Sequence, residues 1–229
     1  MKLNQALKWG ETKASKGVFL PQKTEAKNIL LKILNISYEE LLKNSDRKIA
    51  PHILEQYKSL INLRDYGIPL SKLIGKKDFR NLCLVIYPGV FMPRPETELL
   101  VEIAIRQIEK ENLKRVWDVG TGSGAIALSL ANEKKDILIY GTDTSLKAIE
   151  NARENGKHNI LRSKTKFFLG DLDDVFYSRI KNKVDMIVSN PPYIPTWQLK
   201  VLPPEVKHYE PLMALDGGED GLTFYKRIA

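Results

Sequence analysis

Arg115-Val116-Trp117-Asp118-Val119-Gly120-Thr121-Gly122-Ser123-Gly124-Ala125-Ile126-Ala127-Leu128-Ser129-Leu130-Ala131 is the stretch that decides the fold. Residues 115–119 read as a strand, Gly120 to Gly124 as a loop, and the apolar run from Ala125 as the opening of a helix. Glycines let the backbone come close to a ligand and leave N–H groups pointing at it. The next strand, Ile137-Leu138-Ile139-Tyr140-Gly141, ends at Asp143, where a carboxylate can accept hydrogen bonds from ribose hydroxyls. The loop alone is ambiguous, because Gly120-x-Gly122-x-x-Ala125 also fits the dinucleotide-binding fingerprint.

Toward the C-terminus, a helix is expected from Thr144 to about Asn155. Thr165-Lys166-Phe167-Phe168-Leu169 reads as a third strand ending at Gly170-Asp171. A polar residue there meets an adenine amino group or forms an ordinary turn. Val184 to Ser189 reads as a fourth, buried strand, and it runs into Asn190-Pro191-Pro192-Tyr193. The two prolines fix φ and remove two backbone donors. Asn190 offers a carbonyl acceptor and Tyr193 a flat face. Together they describe a rigid acceptor pocket with a stacking wall, able to hold a planar NH2 group by both hydrogens. Strands alternating with helices imply an α/β fold, a parallel sheet with right-handed crossovers, so the glycine loop and Asn190 share one sheet edge.

Toward the N-terminus, Pro93-Arg94-Pro95-Glu96-Thr97-Glu98 leads into a helix carrying Leu99, Leu100, Ile103, Ala104 and Ile108, with Glu102 and Arg106 as an i, i+4 pair. The prolines hold Arg94 in an extended loop. Residues 76–92 suggest a hairpin in which Tyr87-Pro88-Gly89 turns between two strand-like runs. Residues 1–75 carry the i, i+3, i+4 stripe of amphipathic helices, and Ser37 with Glu40 is a capping-box candidate ahead of Leu41-Leu42. These pieces divide the chain into a helical bundle (1–75), a hairpin linker (76–92) and an α/β domain (93–229).

The charge is uneven: of the net +8, residues 1–75 contribute +6. A basic segment of that kind steers a protein toward an acidic or RNA-rich partner, or is simply a lysine-rich solvated surface. No stretch is apolar enough for a membrane span or a secretory signal. One cysteine, Cys83, excludes an internal disulfide framework and suits the cytoplasm. His52, His158 and His208 are scattered without metal-ligand spacing, so no metal site is expected.

Asp118 to Gly124, Asp143 and Asn190-Pro191-Pro192-Tyr193 together resemble the class I S-adenosyl-L-methionine-dependent methyltransferases that methylate amino groups. Pro93-Arg94-Pro95-Glu96-Thr97-Glu98 ahead of the glycine loop, the helical N-terminal third, and Tyr209-Glu210-Pro211 with Ala214-Leu215 narrow the resemblance to the HemK/PrmC family. These are the protein-(glutamine-N5) methyltransferases of peptide chain release factors. The resemblance implies a Rossmann-like sheet and S-adenosyl-L-methionine as cofactor. It implies a substrate glutamine in the Gly-Gly-Gln loop of a release factor. It places the methionine part of the cofactor on Gly120, Thr121, Gly122, Ser123 and Gly124. The ribose falls on Asp143, the adenine side on Asp171 and Leu172, and Arg94 stands by the cofactor. Asn190 and the Pro191 carbonyl would hold the target amide, with Pro192 and Tyr193 beside it. A cytoplasmic monomer that docks its protein substrate through residues 1–75, without binding nucleic acid directly, is the corresponding expectation. The tetrapeptide alone also suits adenine-N6 methyltransferases of DNA or RNA. Family members complete a seven-stranded sheet, whereas only four core strands are legible before Ala229. An incomplete, catalytically inert remnant is therefore a further alternative.

Overall fold

The structure, a computed structural model, describes residues 1–14, 23–66, 68–172 and 184–229. They form two units, Met1–Ile74 and Gly75–Ala229. The first unit is helical: α1 (Leu3–Ala14), α2 (Lys23–Leu34), α3 (Tyr38–Lys43), α4 (Pro51–Asp65) and α5 (Leu70–Ile74). The apolar stripe closes into one core, with Ala26, Ile29 and Leu30 of α2 against Leu41, Tyr57, Ile61, Leu3 and Ala6. Tyr57 is fully buried and donates its hydroxyl to the Ala26 carbonyl at 3.2 Å. The capping box forms as expected. Ser37 Oγ accepts the Glu40 N–H at 3.1 Å, and Glu40 Oε2 accepts the Ser37 N–H at 2.9 Å.

The second unit begins with an antiparallel pair, β1 (Lys76–Phe79) and β2 (Leu82–Val85). There follow α6 (Thr97–Glu111), β3 (Arg115–Val119), α7 (Ala125–Glu133), β4 (Leu138–Asp143), α8 (Leu146–His158), β5 (Thr165–Leu169), β6 (Met186–Ser189), α9 (Pro204–Lys207) and α10 (Thr223–Ile228). The four later strands form a parallel sheet in the order β5-β4-β3-β6. The order reverses at β3, and such switch points open a crevice at the carboxyl ends of the strands. Val119 is in register with Thr142 on one side and Ser189 on the other, so the glycine loop and Asn190 do emerge at the same edge. Strand alternation gives β3 two buried faces. Val116 packs with Ile139, Phe167 and Val188 among residues of α6, α7 and α8, while Trp117 and Val119 pack with Tyr140 and Leu172. The Glu102–Arg106 pair also forms.

The hairpin departs from the sequence reading. Its turn lies at Arg80-Asn81, and the chain after β2 does not return as a second strand. Tyr87-Pro88-Gly89 is only a tight turn, closed by the Val90 N–H to the Tyr87 carbonyl at 3.0 Å. The cause lies in α8. Asn155 Oδ1 accepts the Val85 N–H at 2.8 Å, Asn151 Oδ1 accepts the Tyr87 N–H at 3.0 Å, and both Nδ2 groups donate to the Val85 carbonyl at 2.9 Å. Two fully buried side chains thus take the bonds that a partner strand would have taken. Arg80 sits at φ 49°, which is costly for a residue with a Cβ. It is held there by its N–H to Glu98 at 3.2 Å and by its guanidinium to Glu133 at 2.8 Å. Phe79, Leu82, Leu84 and Ile86 belong to the same core as α6, α7 and α8, so the hairpin is part of the second unit and not a separate linker.

Candidate functional site

A cleft opens over the carboxyl ends of β3 to β6, and the sequence-predicted Gly120, Thr121, Gly122, Ser123, Asp143, Asp171, Leu172, Asn190, Pro191 and Pro192 all line it. The glycine loop is built from β3 upward. Thr121 donates its N–H to the Thr142 carbonyl at 2.8 Å and its hydroxyl to Asp118 Oδ2 at 2.6 Å. Asp118 Oδ2 also accepts the Ala127 N–H at 3.1 Å, so one carboxylate ties the loop to the first turn of α7. Asp118 is wholly buried and its Oδ1 has no hydrogen-bond partner among the described residues. Burial pushes this carboxyl up to about 7, against the pull of the Thr121 hydroxyl and the Ala127 N–H. Gly122 sits at φ 56°, and a Cβ on Gly120 or Gly122 would meet nothing within 4 Å among the described residues. That space belongs to the cleft, so the bare backbone there is open to a ligand.

Asp143 bridges the loop and the next helix. Its Oδ2 accepts the Gly122 N–H and its Oδ1 the Ser145 N–H, each at 2.9 Å. A carboxylate has about four acceptor positions, so two such bonds orient it and leave capacity for a diol in the cleft. Burial raises its pKa, opposed by the Ser145, Gly122 and Thr144 N–H groups. At Asp171, burial also acts upward, but the Leu172 N–H at 2.7 Å and Arg227 of α10 at 3.0 Å outweigh it and hold the group below its ordinary value. Leu172 is buried in the cluster with Trp117, Val119 and Tyr140 and presents an apolar wall.

The opposite wall is the tetrapeptide after β6. Asn190 Nδ2 donates to Thr97 Oγ1 at 3.2 Å, at the start of α6. With that end committed, Oδ1 is the acceptor left for a ligand. The following segment folds back beneath it: the Ile194 N–H reaches the Leu215 carbonyl at 3.0 Å, and the Gly217 N–H the Ile194 carbonyl at 2.8 Å. A Cβ on Gly217 would stand 2.8 Å from Tyr193 Cα, so a glycine is required for this approach.

Three expected residues lie outside the lining: Gly124, Tyr193 and Arg94. Gly124 caps α7 in the left-handed region at φ 83°. The Tyr193 side chain is exposed. Arg94 pairs with the buried Glu210 carboxylate at 3.0 Å and lies 5.2 Å from the Phe91 ring centroid. Glu210 Oε2 also accepts the Met92 N–H at 3.3 Å, so it grips the chain on both sides of Pro93. Thr97, Asn151, Asn155 and Glu210 had no assigned role in the sequence reading. Thr97 and Glu210 fell within quoted motifs; for the two asparagines the only available signal was a pair of polar residues four apart on an otherwise apolar helix face. Asn155 also donates to the Ser123 carbonyl at 2.9 Å, which joins the hairpin to the glycine loop.

A family model described as methyltransferase small domain matches residues 82–201. A release factor glutamine methyltransferase of Dictyoglomus turgidum is 45% identical over 177 residues, covering 76% of this chain and 61% of that protein. One from Clostridium acetobutylicum is 42% identical over 188 residues, covering 82% of this chain and 66% of that protein. One from Bacillus cereus is 36% identical over 235 residues, covering 100% of this chain and 80% of that protein. The chain thus spans less than two thirds of the length of the first two relatives.

Proposed function

The chain belongs to the methyltransferase small-domain family and, within it, to the release factor glutamine methyltransferases, and from this premise we propose that it methylates the side-chain amide nitrogen of a glutamine. The substrate is the Gly-Gly-Gln loop of a peptide chain release factor, and the cofactor is S-adenosyl-L-methionine. The observation that carries the reading is Asn190 at the end of β6, a residue of the cleft lining whose Nδ2 is held by Thr97, in a cleft that the glycine loop and Asp143 also line.

The residues fit that cofactor. Open backbone at Gly120 and Gly122 suits the amino-acid part, Asp143 has acceptor capacity for the ribose, and Asp171 with Leu172 provides a polar and an apolar contact for the adenine. When bound, the cofactor supplies an electrophilic methyl on a sulfonium. An amide nitrogen is a poor nucleophile, because its lone pair is delocalised into the carbonyl. Asn190 Oδ1 and the Pro191 carbonyl accept its two hydrogens, orienting the nitrogen and making it more electron-rich. The same dipoles stabilise the positive charge that grows on nitrogen, and the proton leaves after transfer. No histidine or carboxylate base is required at the acceptor wall. Arg94 is better read as a brace, since Glu210 holds its guanidinium outside the cleft lining. The +6 of the first unit supports a role in docking the protein substrate. The comparisons lend no support to the adenine-N6 or the inert-remnant alternative.

The test is methyl transfer from labelled S-adenosyl-L-methionine to a purified release factor, with a Gln→Ala control in its Gly-Gly-Gln loop. Label that enters the factor and vanishes in the control is the expected result. Label that persists in the control, or none at all, overturns the reading.

A further inference from the structure

Pro93-Arg94-Pro95-Glu96-Thr97-Glu98 stands out in the sequence, yet its arginine does not line the cleft. We propose that this segment exists to place Thr97, and that Thr97 is the positioning residue of the acceptor site: its hydroxyl oxygen takes one N–H of Asn190 and thereby holds that amide, with its Nδ2 end paired, while Oδ1 receives the substrate. The inference rests on the glutamine-methylation reading and deepens it.

A side-chain amide is nearly symmetric in shape and opposite in polarity at its two ends. Flipped by 180° about χ2, Asn190 would offer two N–H donors where the mechanism needs an acceptor, and a substrate NH2 group would meet donors alone. Thr97 Oγ1 lies 3.2 Å from Nδ2. A hydroxyl rotates to donate or to accept, so this contact alone does not choose between the two ends. A substrate NH2 group can only donate, so it requires Oδ1 toward it, and Thr97 is the acceptor that keeps Nδ2 paired in that state. That service depends on where Thr97 is placed.

The surrounding bonds provide that placement. The Thr97 N–H donates to the Arg94 carbonyl and the Glu98 N–H to the Pro95 carbonyl, each at 3.0 Å, which winds the segment into the first turn of α6. Glu210, itself buried, anchors the segment through Arg94 and through the Met92 N–H. Thr97 is buried as well and lines the cleft, so solvent does not compete strongly for its hydroxyl. The run of contacts therefore goes from Glu210 through Arg94 and the helix turn to Thr97, and ends on the one side chain that must present an acceptor.

The experiment compares Thr97→Val, which keeps shape and removes the hydroxyl, with Thr97→Ser, which keeps the hydroxyl. Two readouts are taken on the full chain. The first is turnover on the release factor, with cofactor affinity measured alongside. The second is the 15N-resolved side-chain NH2 signals of Asn190, assigned by their disappearance in Asn190→Ala. Thr97→Val is expected to lower kcat by about 5- to 20-fold, the equivalent of one lost hydrogen bond to a nearly buried group, with cofactor Kd changed less than about twofold. Thr97→Ser is expected to restore kcat to within about threefold. In Thr97→Val alone, the more downfield Asn190 proton should move upfield and exchange faster. Unchanged kcat in Thr97→Val, or Asn190 signals that do not respond to it, overturns the proposal. If the wild type transfers no methyl to glutamine, the functional reading fails, and the amide signals alone decide the Thr97 tie: a shift in Thr97→Val upholds it, and no shift overturns it.

Discussion

Asn155 ties the hairpin to the glycine loop from outside the cleft, and Asn155→Ala tests what that tie contributes. In the wild type it accepts the Val85 N–H and donates to the carbonyls of Val85 and Ser123. Truncation leaves the Val85 carbonyl with Asn151 but orphans the Val85 N–H and removes a partner from the Ser123 carbonyl. A buried group left without a partner costs about 1–3 kcal/mol. Val85 is only half-buried, so the two losses together come to roughly 2–4 kcal/mol. For a chain of this size that lowers Tm by roughly 5–12 °C. Asn155→Asp refines the test. The carboxylate still accepts the Val85 N–H, but its second oxygen faces two carbonyls in a buried site. The folded-state pKa must rise, so stability is greatest at acid pH, where the carboxyl donates, and falls as pH rises through that raised value. Thermal unfolding of the three proteins from pH 4 to pH 8 measures both effects. A loss below about 0.5 kcal/mol for Asn155→Ala would refute the claim that these bonds replace a missing strand.

Asn190→Ala should keep cofactor affinity, measured by titration calorimetry, while turnover falls by roughly 100-fold or more, as when one preorganised polar group is removed from a transition-state site. Asp118 ionises near 7 when folded and near 4 when unfolded. Its contribution to stability is therefore full below about pH 4 and falls by about 1.4 kcal/mol per unit up to about pH 7. Asp118→Asn should lack that slope, which chemical denaturation across the window will show. Gly217→Ala drives a Cβ into the Tyr193 backbone. It should cost turnover well before it costs cofactor binding, measured on the same sample. Changing the exposed Lys8, Lys43 and Lys48 to Glu brings the first unit to about zero net charge and should raise KM for the release factor several-fold at low salt, an effect that fades at high salt.

The parts of the site that read directly from the sequence are those encoded within a few residues. β3 and β5 fall where the apolar runs placed them, the Ser37–Glu40 box closes, and the glycine loop stands where a strand meets a helix. What was not legible depends on partners far along the chain. The hairpin turn was assigned to Tyr87-Pro88-Gly89 because proline and glycine mark turns, but the strand pairing was decided by Asn151 and Asn155, some seventy residues away. Those asparagines resemble any polar positions on a helix, and only the fold shows that they are fully buried. Only the family resemblance places Arg94 beside the cofactor; its own surroundings in the sequence fit a proline-rich helix entry equally well. Its carboxylate partner, Glu210, lies more than a hundred residues on, and no local pattern links the two. Thr97 lies inside the same motif, and its partner Asn190 is 93 residues on, so no local pattern marks it.

The strand order sets a timetable for synthesis. β3 pairs with β4 after a crossover of about twenty residues, and β4 with β5 after a similar one, so this half of the sheet closes through contacts that are near in sequence. β6 docks on the other side of β3, and its pairing spans some seventy residues. As the chain leaves the ribosome, the wall with the glycine loop and Asp143 can be finished while Asn190 is still inside the exit tunnel. Until β6 arrives, the flank of β3 offers an unpaired strand edge, the kind of surface that chaperones cover and that aggregates recruit. The acceptor strand that completes this wall thus also covers the edge of β3, and becomes the end strand of the sheet in its place.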